Sequence, residues 1–127
     1  MSKLVIFVDD SATVLMSAEM ACEELVESGI INLKTYSNPL DCLNDVKKGL
    51  IYDLLITDIN MPQMNGLNFA KELKTIPTVK LKPIIALTTE NSQEMKENGK
   101  AAGLVGWISK PFTNEKLLSG LKRVMRI

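Results

Sequence analysis

The chain has 127 residues, which is enough for one domain with its own hydrophobic core. Its 15 basic and 15 acidic side chains cancel, so the composition predicts no general attraction to nucleic acid or to an anionic membrane surface. Histidine is absent, which excludes catalysis, metal ligation or phosphate transfer by an imidazole of this chain.

No targeting or membrane segment is predicted. The apolar run at residues 4–8 is too short for the core of a signal peptide. Nothing in the sequence approaches the roughly 18 apolar residues of a membrane span. The two cysteines, Cys22 and Cys42, lack a metal-like spacing and are predicted to be small buried residues in helices. We therefore expect a cytoplasmic protein, with residues 1–127 forming a single domain and no output domain.

The first predicted strand covers residues 3–8, an apolar and β-branched run. Ser11 is expected to cap a helix that extends from residue 12 to about residue 28 and ends at Gly29. Further elements then alternate along the chain: strand 31–36, helix 39–49, strand 54–57, helix 65–74, strand 83–87, helix 92–102, strand 104–109 and helix 113–125. The last of these helices is expected to begin at Thr113.

The apolar run at residues 54–57 shows no alternation with polar residues, which is typical of a strand covered on both faces. Strands that alternate regularly with helices favour a parallel sheet with helices on both sides. We therefore predict an α/β fold.

The first helix carries two apolar sets. A buried stripe is predicted at helical spacing, formed by Val14, Ala18, Ala21, Cys22 and Leu25. Leu15, Met16 and Met20 do not fit on that stripe. They are either scattered surface hydrophobes, which need no cause, or an exposed docking patch for a partner protein.

The strand ends carry the candidate chemistry. The first strand ends at Asp9 and Asp10, the third at Asp58, the fourth at Thr88 and the fifth at Lys110. Parallel strand ends meet at one edge of a sheet, where open α/β sheets bind their ligands. Carboxylates about 5 Å apart repel one another by about 3 kcal/mol per pair at an effective dielectric of about 20, so a cation is expected, and oxygen ligands suit Mg²⁺.

A hydroxyl and a lysine beside that cation are what a transferring phosphoryl group needs around its oxygens. An aspartate placed between them can be the nucleophile and form an aspartyl phosphate. The alternative is a charged rim of loops in which Lys110 is only a local counterion.

Four motifs in combination show a resemblance to a known family: FVDDS, LLITDINMPQMNG, ALTTE and WISKPF. The sequence resembles a response-regulator receiver domain, most closely the single-domain chemotaxis, CheY-like type, over essentially its whole length. The resemblance implies a flavodoxin-like three-layer α/β/α fold with strand order 2-1-3-4-5. It also implies that Asp58 is the phosphoacceptor, Asp10 a direct Mg²⁺ ligand, Asp9 a ligand through a water, and Asn60 a ligand through its main-chain carbonyl.

The resemblance implies further roles at the neighbouring strand ends. Thr88 would hydrogen-bond the phosphoryl group and Lys110 would pair with it, with a cis peptide between Lys110 and Pro111. Trp107 stands where the family usually has Tyr or Phe, and is expected to be either a switch residue or a fixed cap on an edge strand. Glu90, with Asn60, would flank the path of a hydrolytic water.

The implied function is a two-component signalling protein and not a conventional enzyme. It would receive its phosphoryl group from a sensor histidine kinase or a phosphotransfer protein and then contact a downstream protein, such as a flagellar motor component in chemotaxis. Nucleic acid and membrane are not expected partners.

Two other classes share parts of this pattern. A haloacid-dehalogenase-like phosphatase would need a second acid two residues after the nucleophile, where this chain has Asn60. A nucleotide-binding flavodoxin-like domain would need a glycine-rich loop after the first strand, which the sequence lacks.

Overall fold

The computed structural model describes residues 2–127. In chain order its elements are β1 (Lys3–Val8), α1 (Ala12–Ala21), α2 (Glu23–Glu27), β2 (Ile31–Tyr36), α3 (Pro39–Lys47), β3 (Leu54–Thr57), α4 (Gly66–Leu73), β4 (Ile84–Thr88), α5 (Gln93–Ala101), β5 (Gly106–Ser109) and α6 (Asn114–Met125).

All neighbouring strands are parallel, and their order across the sheet is β2-β1-β3-β4-β5. This confirms the expected fold and strand order. The apolar strands are buried on both faces because helices cover each side of the sheet. Alternate residues of β1 show the two layers: Val5 and Phe7 pack with α1, α2 and α6, whereas Ile6 and Val8 pack with α3 and α4.

Side-chain caps begin the helices where the sequence predicts them. The Ser11 hydroxyl accepts a hydrogen bond from the Val14 N–H at 3.3 Å and begins α1 directly after the aspartates. Thr113 does the same for α6, accepting from the Lys116 N–H at 3.1 Å. Each cap satisfies a main-chain donor that has no partner inside its helix.

The first helical segment departs from its prediction in two respects. It is not one helix over residues 12–28, because Cys22, at φ −94° and ψ 1°, separates α1 from α2. Leu15 also lies on the buried face and not off it as expected: it is only 8% exposed and packs in the core, whereas Val14 is half-buried. The buried stripe therefore begins at Leu15 and continues through Ala18, Cys22 and Leu25, which is the three- and four-residue spacing of a helix face.

The fifth strand is shorter than predicted and begins at Gly106. Leu104 still belongs to the turn that ends α5, since its N–H donates to the carbonyl of Gly99 at 2.9 Å. Within residues 2–127, no helix is both long enough and apolar enough to cross a membrane.

Candidate functional site

The carboxyl ends of β1 and β3 place two aspartates side by side. Val8 pairs with Thr57 in the sheet, and the Asp58 N–H donates to the Val8 carbonyl at 3.0 Å, so Asp9 and Asp58 lie at neighbouring strand ends. Both are buried, while Asp10 is exposed. One carboxylate oxygen from each of the three lies within 4.8 Å of the others. The predicted acidic cluster is therefore present.

Lys110 joins two of these carboxylates. Its Nζ lies 2.6 Å from Asp9 Oδ2 and 2.9 Å from Asp58 Oδ2. The residue reaches this position because its N–H donates to the Thr88 carbonyl at 2.9 Å, which continues the pairing of β4 and β5 by one residue. A cis peptide bond links it to Pro111. The pairing of β4 with β5 therefore fixes the backbone of Lys110 at the edge of the sheet where the aspartates lie.

Burial and pairing act in opposite directions on these charges. Burial alone would lower the pKa of Lys110, but hydrogen bonds to Asp9 and Asp58 raise it above its ordinary value. Burial raises the pKa of Asp9, and the hydrogen bond from Lys110 offsets part of that effect. A buried carboxylate that is hard to ionise is a place where additional positive charge is favourable.

Main-chain donors hold the other oxygen of Asp58. Asp58 Oδ1 accepts from the Ile59 N–H at 2.6 Å and lies 3.4 Å from the Asn60 N–H. The loop that supplies these donors is anchored by Gly66, whose N–H donates to the Ile59 carbonyl at 2.7 Å. A Cβ on Gly66 would collide with the Asp58 carbonyl oxygen, so only glycine allows the start of α4 to approach this closely. Gly66 is a site-shaping residue that sequence reasoning saw only as a turn signal.

The residues fit a hard divalent cation. Three carboxylates converge, and one lysine neutralises only part of their charge. The converging donors are all oxygen atoms, and exposed Asp10 leaves the cluster open to solvent on one side. Asp9, Asp10 and Asp58, three of the four predicted metal residues, are thus together, and Asn60 follows in the loop after Asp58.

Thr88 ends β4 as predicted, and its hydroxyl contacts the loop that follows the strand. Thr88 Oγ1 accepts from the Glu90 N–H at 3.2 Å. Within residues 2–127, the hydrogen bonds to the Asp58 carboxylate come from Lys110 and the Ile59 and Asn60 N–H groups. Because the Thr88 oxygen acts only as acceptor in this contact, its O–H can still donate to a phosphoryl group while the loop contact is kept.

Two contacts of Glu90 link the site to Trp107. The Glu90 carbonyl accepts from Trp107 Nε1–H at 2.8 Å, and its carboxylate oxygen Oε1 accepts from Asn60 Nδ2–H at 3.2 Å. Trp107 is half-buried and also borders a groove of about 270 Å³, together with Lys96 and Lys100 of α5. Sequence reasoning named Trp107 and Glu90 separately but did not predict the bond between them.

The chain is similar to known proteins in both sequence and fold. The family model described as "Response regulator receiver domain" matches residues 5–122. Chemotaxis protein CheY-3 of Vibrio cholerae is 30% identical over 94% of this chain and 89% of its own length. The crystal structure of V. cholerae CheY4 is 37% identical, with a TM-score of 0.84 over 98% of this chain and 99% of that one.

Longer proteins contain a similar segment. The cyclic di-GMP phosphodiesterase response regulator RpfG of Xanthomonas campestris is 30% identical over 97% of this chain, which spans only 32% of that protein. The similarity therefore covers a minor part of RpfG. The match to CheY-3, in contrast, extends over nearly all of both chains.

Proposed function

The chain belongs to the response regulator receiver domain family, and we propose that Asp58 is the residue that carries its phosphoryl group. Receiver domains of two-component response regulators are signalling domains and not conventional enzymes, and phosphorylation of an aspartate is their general mechanism. The observation that supports Asp58 most strongly is its position: it directly follows the central strand β3, its Oδ2 lies 2.9 Å from Lys110 Nζ, and its carboxylate clusters with those of Asp9 and Asp10.

In the proposed step, a carboxylate oxygen of Asp58 attacks the phosphorus atom of the donor. The new O–P bond forms as the donor's P–N or P–O bond breaks, and the leaving nitrogen or carboxylate oxygen keeps the electron pair. A leaving imidazole takes its proton from solvent water. Lys110 lies 2.9 Å from Asp58 Oδ2, so its ammonium is in place to pair with the transferred phosphoryl oxygens. Thr88 would donate its hydroxyl hydrogen to the same group while its oxygen still accepts from the Glu90 N–H.

Receiver domains bind Mg²⁺ at an acidic site, and here Asp9, Asp10 and Asp58 would hold the ion, with the main-chain carbonyl of Asn60. When bound, the ion neutralises the clustered carboxylates and the charge of the incoming phosphoryl group. Residues of this chain orient the Asp58 carboxylate. Lys110 orients Asp58 from one side, and the Ile59 and Asn60 N–H groups fix its other oxygen.

The phosphodonor we propose is a phosphohistidine on a sensor histidine kinase or a phosphotransfer protein. This chain has no histidine of its own, so the donor imidazole must come from another domain or protein. The output we propose is a downstream protein contacted in a phosphorylation-dependent way, such as a flagellar motor component. The similarity to a chemotaxis protein, CheY-3, supports a target in chemotaxis. We place this exchange in the cytoplasm.

The proposal is tested by incubation with Mg²⁺ and acetyl phosphate, followed by intact-mass measurement. We expect one acid-stable, base-labile phosphoryl group per chain, which is lost in Asp58→Asn. The matched control is Asp53→Asn: Asp53 accepts from the Leu4 N–H at 2.8 Å at the opposite end of the sheet, and its replacement should leave labelling intact. Full labelling of Asp58→Asn, or turnover of an external phosphomonoester without a stable adduct, would contradict the proposal.

A further inference from the structure

The strand β2 lies at one edge of the sheet and turns half of its main-chain groups away from its neighbour β1. The Lys3 N–H donates to the Ile30 carbonyl at 3.2 Å, so the main chain of the even-numbered residues of β2 faces β1. The N–H and carbonyl groups of the residues between them, Leu33 and Thr35 among them, therefore point to the free edge. Such a row of donors and acceptors can pair with another extended chain.

A groove of about 510 Å³ lies between this edge and the helices α1 and α2. Its lining residues are Asn32, Leu33 and Thr35 from β2, and Glu19, Glu23, Val26 and Glu27 from the helices. Two of them are apolar and in reach of a partner, since Leu33 is half-buried and Val26 is 38% exposed. A chain that pairs with the edge of β2 would therefore turn one row of its side chains toward this groove.

The helical side of the groove is acidic. Glu19, Glu23 and Glu27 are all exposed, and within residues 2–127 none of them takes part in an ion pair. The hydrogen bonds between residues four apart continue across the break at Cys22, which donates one such bond and accepts another, each at 3.1 Å. The three glutamates therefore share one helix face, as their four-residue spacing predicts. This charge attracts cations and repels nucleic acid or an anionic membrane surface.

The spacing of the glutamates matches that of an extended chain. Residues four apart on a helix are separated by about 6 Å along its axis, and every second residue of a strand by about 6.6 Å. Lysine or arginine at every second position can therefore meet the glutamates one by one, while their methylene stems cover Val26 and Leu33. A second copy of this chain fits poorly, because pairing two β2 edges would bring two rows of glutamates together.

We propose that the edge of β2 is a docking site for an extended segment of a partner protein that carries Lys or Arg at every second residue. Main-chain hydrogen bonds to Leu33 and Thr35 hold the segment as an added strand, and the glutamates select its charge. The inference goes beyond the proposed function, since neither the edge nor the groove includes Asp58 or the residues around it.

The test is an NMR titration of the isotope-labelled, unphosphorylated protein with a capped seven-residue peptide of alternating Thr and Lys. The amide resonances of Leu33 and Thr35 should shift as the peptide binds, and a peptide of alternating Thr and Glu should not bind. Two further peptides carry N-methyl groups, one on its Lys residues and the other on its internal Thr residues. Only one of these two sets of N–H groups can face β2, so one methylated peptide should bind and the other should not.

Two charge reversals on α2 locate the site. Glu23→Lys replaces an attraction in the groove by a repulsion and should weaken binding of the Thr-Lys peptide by about tenfold. Glu24→Lys is the matched control: it makes the same change of charge at an exposed neighbour that does not line the groove, and should stay within about twofold of the parent protein.

Four results would overturn the proposal. The first is the absence of shifts at Leu33 and Thr35 with excess Thr-Lys peptide. Equal binding of the two methylated peptides would mean attraction by charge without strand pairing. Equal weakening by Glu23→Lys and Glu24→Lys would mean that the groove is not the site. Shifts of the same resonances when the protein alone is concentrated would mean that a second copy occupies the edge.

Discussion

Gly66→Ala places one methyl group against the backbone that carries the phosphoacceptor. The added Cβ would collide with the Asp58 carbonyl oxygen, and would lie 2.8 Å from Ile59 Cα and 3.0 Å from the Asp58 carbonyl carbon. None of these atoms belongs to a side chain that can rotate away. Relief of the collision therefore requires either α4 or the Asp58 loop to move.

These contacts allow the loss in free energy of unfolding of Gly66→Ala to be estimated. Overpacking against rigid neighbours costs about 3 kcal/mol at the upper end of its usual range. Alanine recovers at most about 1 kcal/mol of helix propensity at the first position of α4. The net loss of about 2 kcal/mol corresponds to a fall in Tm of about 8 °C for a domain of this size.

Thermal unfolding followed by circular dichroism measures this loss, and Gly120→Ala is the matched control. Gly120 also lies in a helix, but its added Cβ would meet only the end of the Ile108 side chain, at 3.1 Å, which can shift. We expect the control to stay within about 1 kcal/mol of the parent protein. Because the collision displaces the Asp58 loop, Gly66→Ala should also be labelled poorly by acetyl phosphate. An unchanged Tm together with normal labelling would refute the reasoning.

Three further predictions concern other parts of the chain. Lys110→Ala leaves two buried carboxylates without their cation, so the free energy of unfolding measured with denaturant should fall by about 3 kcal/mol without Mg²⁺ and by less when Mg²⁺ is added. An equal fall in both conditions would contradict this prediction. Met16 and Met20 are 63% and 70% exposed on α1, so changing both to Lys should slow phosphotransfer from the cognate kinase by about tenfold, or ~1.4 kcal/mol, and leave labelling by acetyl phosphate unchanged. If phosphotransfer is not slowed, these residues are ordinary surface and not a docking patch. Burial raises the pKa of Cys22 to about 11 and that of Cys42 to about 12, so both thiols stay protonated at pH 8 and should react with a thiol reagent only after unfolding; rapid labelling of the folded protein would refute their burial.

The sequence predicts those features that depend on local pattern. The apolar runs locate the strands, and Ser11 and Thr113 mark the starts of their helices, because a strand covered on both faces and a capped helix each have a short-range signature. The acidic cluster is predictable as well. Parallel strands bring their carboxyl ends to one edge, and Asp9 and Asp58 meet there because β1 pairs with β3, as the strand order implied by the family resemblance predicts.

The features that the sequence does not predict depend on tertiary contacts. Leu15 is expected off the buried stripe from helical spacing alone, and this is wrong because it packs in the core between α1 and the sheet. The bond from Trp107 to Glu90 joins residues 17 positions apart, whose distance depends on how the loop after β4 folds back on β5. The close approach of Gly66 to Asp58 likewise depends on where α4 packs, and the pair Asn65-Gly66 indicated only a turn.

The most direct test of the central claim identifies the modified residue chemically. Borohydride reduces an acyl phosphate to an alcohol, so an aspartate that carried a phosphoryl group becomes homoserine and can be located by peptide sequencing in a mass spectrometer. After phosphorylation with acetyl phosphate and Mg²⁺, homoserine should be found at position 58, with Asp9 and Asp10 unchanged. Homoserine at position 9 or 10 with Asp58 intact would contradict the account.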